Sequence, residues 1–268
     1  MAARLRDLFS RTIGARARAE SMASDIVTSW YEIVDQYLPR NVTFLKDTFP
    51  AISAVAKEVH QASKFTYKAG IWKEDAHKGL MWVTHAPTKR CPEYIAPSWS
   101  WACLITRKVD KKAKTPWLDK KIAKILDIRS TVVGEDPYGQ VTSASLTLRG
   151  PWRNLERDDD DRNQDKRESD DNVQIRFQSH LISGKTKYFF DVVGEQVTGS
   201  VGCIVIAECQ TLQDSFMYTM YDKCWCALLL KKIVGPGDDG HDHYQRIGII
   251  YIDKPNKKNW TERTVTII

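Results

Sequence analysis

Two neighbouring runs decide the fold: "CWCALLLKKIV" (224–234) and "YQRIGIIYID" (244–253). Each has strand length and is rich in Leu, Ile and aromatic residues, and a short Gly/Pro/Asp-rich turn separates them. A parallel crossover needs about a dozen or more residues, so pairing across so short a gap is antiparallel. The same character extends backward through "SVGCIVIAEC" (200–209), "KYFFDVV" (187–193) and "NVQIRFQ" (172–178), and forward to "RTVTII" (263–268). Further upstream, "SASLTLRG" (143–150) alternates Ala144, Leu146 and Leu148, "DPYGQ" (136–140) reads as a turn, and "AKILDIRSTVV" (123–133) and "YIAPSWSWACLI" (94–105) read as β-type runs.

Before residue 85 the period changes. "SDIVTSWYEIVDQYL" (24–38) places Ile26, Trp30, Ile33, Val34 and Tyr37 at helical spacing, with Ser24 as N-cap and Pro39 as stop. A second helix is expected over 49–62, with Asp47 or Thr48 as cap and Pro50 in its first turn. A third helical stretch is expected from Tyr67 to Trp82, weakened at Gly70. The sequence therefore predicts an α+β fold, with N-terminal helices packed on a mostly antiparallel sheet that is sandwich- or barrel-like. Residues 23–268 form one domain, of which 23–84 are the helical part and 85–152 and 173–268 the β part. Residues 153–172 are a charged insertion, and 1–22 are a basic tail or helix.

The 268 residues are 42% hydrophobic and 10% aromatic, enough for a substantial core. No stretch approaches the roughly 20 apolar residues that span a bilayer. Net charge is +6 and unevenly spread. Residues 107–124 hold eight basic and two acidic side chains, and 153–171 hold nine acidic and five basic ones. Six cysteines, several inside apolar runs, read as free buried thiols of a reducing compartment, so a cytoplasmic location is expected. The Arg-rich start also permits a mitochondrial presequence.

Motifs for chemistry are sparse. "GPGDDG" (235–240) lacks the Lys-Ser/Thr of a phosphate loop. Cys224 and Cys226 with His241 and His243 supply a zinc-type donor set, at a spacing poor for the common modules. Asp191 and Glu208 are acids bounded by apolar residues, a setting that raises a carboxyl pKa at active sites but more commonly marks the open face of a strand. An enzyme reading would pair one of them with His180. Neither a catalytic residue nor a cofactor is assigned. Lys111, Lys112, Lys120 and Lys121, with Trp117 among them, suit phosphate contacts beside a stacking ring, an anion- or nucleic-acid-binding alternative. No RNP-type or helix-turn-helix pattern supports it.

Several blocks, in order, resemble the region that follows the HET domain in fungal heterokaryon incompatibility proteins. They are "WYEIVDQYLPRNVTFLKDTFPAISAVAKEVH" (30–60), "YKAGIW" with "GLMW" (67–72 and 79–82), "APSWSWA" (96–102), "DPYGQV…LTLRG" (136–150) and "CALLL…YQRIGII" (226–250). The sequence departs from the family pattern at Ser53-Ala54 and at Gln245-Arg246. The blocks of the HET domain itself are not in this sequence, so no effector activity is carried over. The resemblance implies a non-enzymatic interaction or regulatory module for self/non-self recognition, whose partner is a protein: a HET effector domain or a second copy. It also implies that Trp30, Trp72, Trp82, Pro97, Ser98, Trp99, Ser100 and Trp101 are packing residues at the helix–sheet junction. A ligand platform is the alternative reading of the paired tryptophans.

Overall fold

The computed structural model describes residues 22–23, 25–40, 42–84, 88–106, 117–155, 186–192, 197, 199–215, 218–233, 242–253 and 260–268. The expected strand over 172–178, the charged segment beyond residue 155, and residues 1–21 lie outside them.

Helix α1 covers 25–37 and buries Val27, Trp30 and Val34. Ile33, expected on that stripe, is 37% exposed, because the buried line follows the 27–30–34 spacing. A 3₁₀ turn at Leu45–Asp47 precedes a second at Pro50–Ile52, which runs straight into α2 (Ser53–Ser63). No side chain caps this second turn or α2. Thr48 instead closes the preceding turn by donating to the Leu45 carbonyl at 2.6 Å.

The third expected helix is absent as such. Strands β1 (Tyr67–Lys68) and β2 (Ile71–Trp72) form a tight hairpin, followed by a 3₁₀ turn and the short α3 (Ala76–Gly79). The hairpin turns on Ala69 and Gly70, both at positive φ (43° and 95°), a conformation no helix interior accepts. A Cβ on Gly70 would also meet the Trp101 Nε1 at 2.6 Å.

The rest is β. Strand β3 (Thr88–Arg90) pairs with β4 (Leu104–Thr106). Between them "APSWSW" is not extended: Pro97–Ser100 make a turn and Trp101–Cys103 a 3₁₀ turn, which the Ser100 hydroxyl caps by accepting from the Ala102 N–H. The main sheet contains β5 (Trp117–Lys121), β6 (Lys124–Val132), β7 (Val141–Leu155), β8 (Thr186–Phe190), β9 (Val201–Ser215), β10 (Tyr218–Lys232), β11 (His243–Asp253) and β12 (Thr261–Ile267). Thus part of the basic stretch is strand rather than loop, and β7 runs through Arg153–Leu155 into the expected insertion because those residues pair with β9.

Pairing is antiparallel throughout, except for two parallel rungs between β11 and β12. The path β9–β10–β11–β12–β7 returns to β9 through the Trp152↔Ile204 to Leu155↔Val201 rungs, so the sheet closes into a small ring with β5, β6 and β8 as flanking strands. Its central strands are buried on both faces, which is why "GCIVIA" and "CALLL" read as continuous apolar runs rather than alternating ones. One face (Ile204, Ile206, Leu228, Leu230 and Ile249) packs with the helical cap and its aromatic residues. The other (Val205, Leu229, Ile250 and Ile252) belongs to a second, mainly aliphatic cluster.

Candidate functional site

The motif residues from separate parts of the chain meet between the cap and the sheet. The carbonyl of Gly70, a residue with left-handed backbone, accepts from two indoles: Trp30 Nε1 at 3.2 Å and Trp101 Nε1 at 2.9 Å. Around it Trp30, Tyr67 and Trp72 form edge-to-face contacts with ring centroids 5.3–5.8 Å apart. Phe49 packs on Trp101 and Tyr67 in the same way. Trp30, Trp72 and Trp99 are wholly buried, and Trp101 nearly so. Trp82 is half-buried and donates to the Trp99 carbonyl at 3.0 Å. Ser100 is buried in its capping role. Pro97 contributes its carbonyl, which accepts from the Ser100 N–H at 2.9 Å. Ser98 ties three segments together. Its hydroxyl donates to the Ile268 carbonyl and accepts from the Arg246 N–H, and its own N–H reaches the same Ile268 carbonyl at 3.1 Å.

At the centre lies a buried ion pair. Arg246, on β11, is 0% exposed and Asp191, just past β8, is 1% exposed; Arg246 Nη2 lies 3.2 Å from Asp191 Oδ1. The guanidinium also donates to the carbonyls of Leu80 and Trp82, and its carbon stands 3.4 Å from the Trp82 ring centroid. Arg90 donates to the Arg246 carbonyl at 3.0 Å, and the Thr84 and Thr88 hydroxyls to the Asp191 carbonyl. A buried guanidinium needs a carboxylate and several acceptors to offset lost hydration, and these supply them. The Cys103 thiol beside them is pushed up to about 12, mainly by burial and next by the Asp191 charge, so it stays protonated.

The arrangement can clamp rather than react. Asp191 does not lie on an open strand face, and at 1% exposure it cannot touch a substrate. Glu208, in contrast, is half-buried at the sheet surface, where Lys223 Nζ lies 3.4 Å from it and 3.0 Å from Asp119. His180 lies outside the described residues. Of the zinc-type donors, Cys224 registers with Asp253 and His243 with Thr266, at opposite ends of β11, so these are not brought together; His241 lies outside the described residues. Among the described residues no cluster of three or more metal-ligating side chains occurs. Lys120 and Lys121 are exposed on the flanking strand β5, with Lys121 donating to the Glu74 carbonyl at 3.2 Å; Lys111 and Lys112 lie outside the described residues.

The residue that sequence reading passed over is Arg246. Its signal was there: a guanidinium inside "RIGIIYI" must find a buried partner, and Asp191 inside "YFFDVV" is the matching acid. No family model, no curated protein and no solved structure matches this chain.

Proposed function

We propose that this chain is a non-enzymatic docking module of the kind that follows the HET domain in fungal heterokaryon incompatibility proteins, and that it binds a HET effector domain or a second copy of itself. What supports this reading is the convergence of the resemblance blocks. Trp30, Gly70, Trp82, Ser98, Trp101 and Arg246 come from four of them and bond one another directly. Residues spread so widely in sequence are joined here by packing and hydrogen bonds, as a rigid recognition body requires, while the buried acid is spent on its own cation. Ile33 on α1 is 37% exposed and Met22, ahead of that helix, is 64% exposed, so each is an apolar side chain available to a partner.

The test is co-purification of the full chain with a HET domain from the same cell, together with its mass in solution. A stable complex or a dimer, lost in the Ile33→Glu variant while the fold persists, supports the proposal. A monomer that captures no HET domain overturns it. Binding to DNA or RNA at low salt that disappears in Lys120→Glu/Lys121→Glu would transfer the function to the basic segment instead.

A further inference from the structure

Where the ring of strands closes, a cleft of about 360 Å³ lies among β7, β9, β10, β11 and β12. Its aromatic side is fixed. Trp152 and Tyr244 are buried edge to face with centroids 5.4 Å apart. Residue 202 must be glycine, because a Cβ there would come within 2.1 Å of the Trp152 ring. The apolar wall is Leu155 facing Val201 in register.

Two cations from different strands converge on this cleft. The Arg263 guanidinium carbon lies 4.9 Å from the Trp152 centroid and 5.7 Å from that of Tyr244. The β10–β11 register sets Lys232 opposite Tyr244. Both cations reach one carboxylate: Lys232 Nζ to Asp242 Oδ1 at 2.7 Å and Arg263 Nη2 to Asp242 Oδ2 at 3.5 Å. Among the described residues that line the cleft or pair with its cations, two positive charges stand against this one negative charge, and the Lys232 and Arg263 side chains remain 42% and 36% exposed. Asn154, which also lines the cleft, accepts from Trp152 Nε1 at 2.9 Å through its Oδ1. The exposed Ser200 hydroxyl completes the lining.

The geometry points to a binding site for a small phosphomonoester, whose phosphoryl oxygens replace the Asp242 carboxylate on Lys232 and Arg263 while its organic part lies on Leu155 and Val201. A carboxylate offers two oxygens. A phosphoryl group offers three and carries about −1.5 to −2 charges at neutral pH, which better matches an ammonium, a guanidinium, an amide and a hydroxyl. The volume lies at the lower end of the roughly 300–1,000 Å³ range of small-ligand pockets. Asp242 then acts as an internal occupant that sets a threshold for binding. The site shares no residue with the α1 face proposed for docking, so either idea can fail without the other.

Calorimetric titration of the full chain at low salt tests it, with phenyl phosphate, inorganic phosphate and benzoate as probes. Phenyl phosphate should bind tightest. Lys232→Gln and Arg263→Gln should each weaken it about tenfold or more, the usual loss when a charge-assisted bond is removed. Asp242→Asn should tighten it, an effect in the opposite direction that a merely structural ion pair does not produce. Circular dichroism of each variant verifies the fold, and Lys232→Gln, at a half-buried position, keeps the test open if Asp242→Asn does not fold. Equal binding of benzoate would overturn the phosphoryl assignment. The absence of saturable phenyl phosphate binding at millimolar concentration, in both wild type and Asp242→Asn, would overturn the site.

Discussion

The two faces of the central strands are buried to the same degree by different chemistry. On one side lie Trp30, Trp72, Trp99 and Trp101, with His77, Ser98, Ser100 and the Arg246–Asp191 pair, joined by directional bonds to the helical cap. On the other, Val205, Ala227, Leu229, Ile247, Ile250 and Ile252 pack with Trp225 and Trp260, and shape and area suffice. The aliphatic side tolerates any well-fitting neighbour, because dispersion and burial are non-directional. The aromatic side specifies one arrangement of cap on sheet, because each indole N–H and each guanidinium N–H accepts few alternatives.

The largest expected effect follows from that contrast. Arg246→Met removes one partner of a buried pair and leaves Asp191 charged and enclosed, so it should cost about 3–5 kcal/mol in urea unfolding. Arg246→Met/Asp191→Asn should recover part of the loss. Ile250→Val, equally buried on the aliphatic side, should cost only about 0.5–1.5 kcal/mol. Equal costs at the two positions would dissolve the distinction. Gly202→Ala comes next, at about 1–3 kcal/mol, because the added methyl must displace a Trp152 ring that lies within 2.1 Å of it; a thermal melt at unchanged midpoint would show that the closure of the ring is slack.

A finer comparison lies within the aromatic side itself. Trp30 and Trp101 donate to Gly70, while the ring N–H groups of Trp72 and Trp99 have no hydrogen-bond acceptor among the described residues. Phenylalanine at position 30 or 101 should therefore cost about 1 kcal/mol more than phenylalanine at 72 or 99, beyond the shared loss of volume. Chemical denaturation of the four variants measures the difference, and no difference would mean that the bonds to Gly70 contribute nothing.

How much of this was legible in sequence follows the same division. The aliphatic strands of β9, β10 and β11 could be read directly, since runs such as "CALLL" need only length and composition to declare a buried strand. The α+β architecture followed from them and from the helical period of 24–38. The cap was read less well. Tyr67–Trp82 carries bulky residues at helical intervals, but Ala69 and Gly70 at positive φ turn it into a hairpin, with Gly70 held against Trp101 from 31 residues away. The tryptophans of "PSWSW" are two apart as in a strand, yet Trp99 lies in the Pro97–Ser100 turn and Trp101 in the 3₁₀ turn that Ser100 caps. Local pattern cannot register such long-range contacts. The cleft at Lys232 and Arg263 left no motif at all, because its residues are joined by register rather than by spacing.

The smallest effect is a pH dependence confined to the cap side. Asp75 is raised from its ordinary 3.8 to about 6 by burial, which outweighs the opposing pull of Lys78 and Lys121. The folded state therefore holds that proton more tightly than the unfolded chain. This contribution to stability is complete below the unfolded value and is lost as pH rises through about 6. His77 runs the other way. Burial lowers its pKa despite the bond between its Nε2 and the Ala123 carbonyl at 2.7 Å, so its contribution is present above its ordinary 6.5 and is lost as pH falls. The two slopes oppose each other over the mildly acidic range and give wild type a shallow profile. Asp75→Asn removes the Asp75 share of the falling limb and leaves that of Asp35, which burial also raises, so the variant should lose less stability than wild type as pH rises from 3.8 to about 6 and exceed it above about 6. Urea midpoints across that range measure it. On the aliphatic face the titrating group is the Cys203 thiol, pushed up to about 12 by burial and silent under acid. A profile unchanged by Asp75→Asn would mean that Asp75 contributes no more to acid titration than the aliphatic face does.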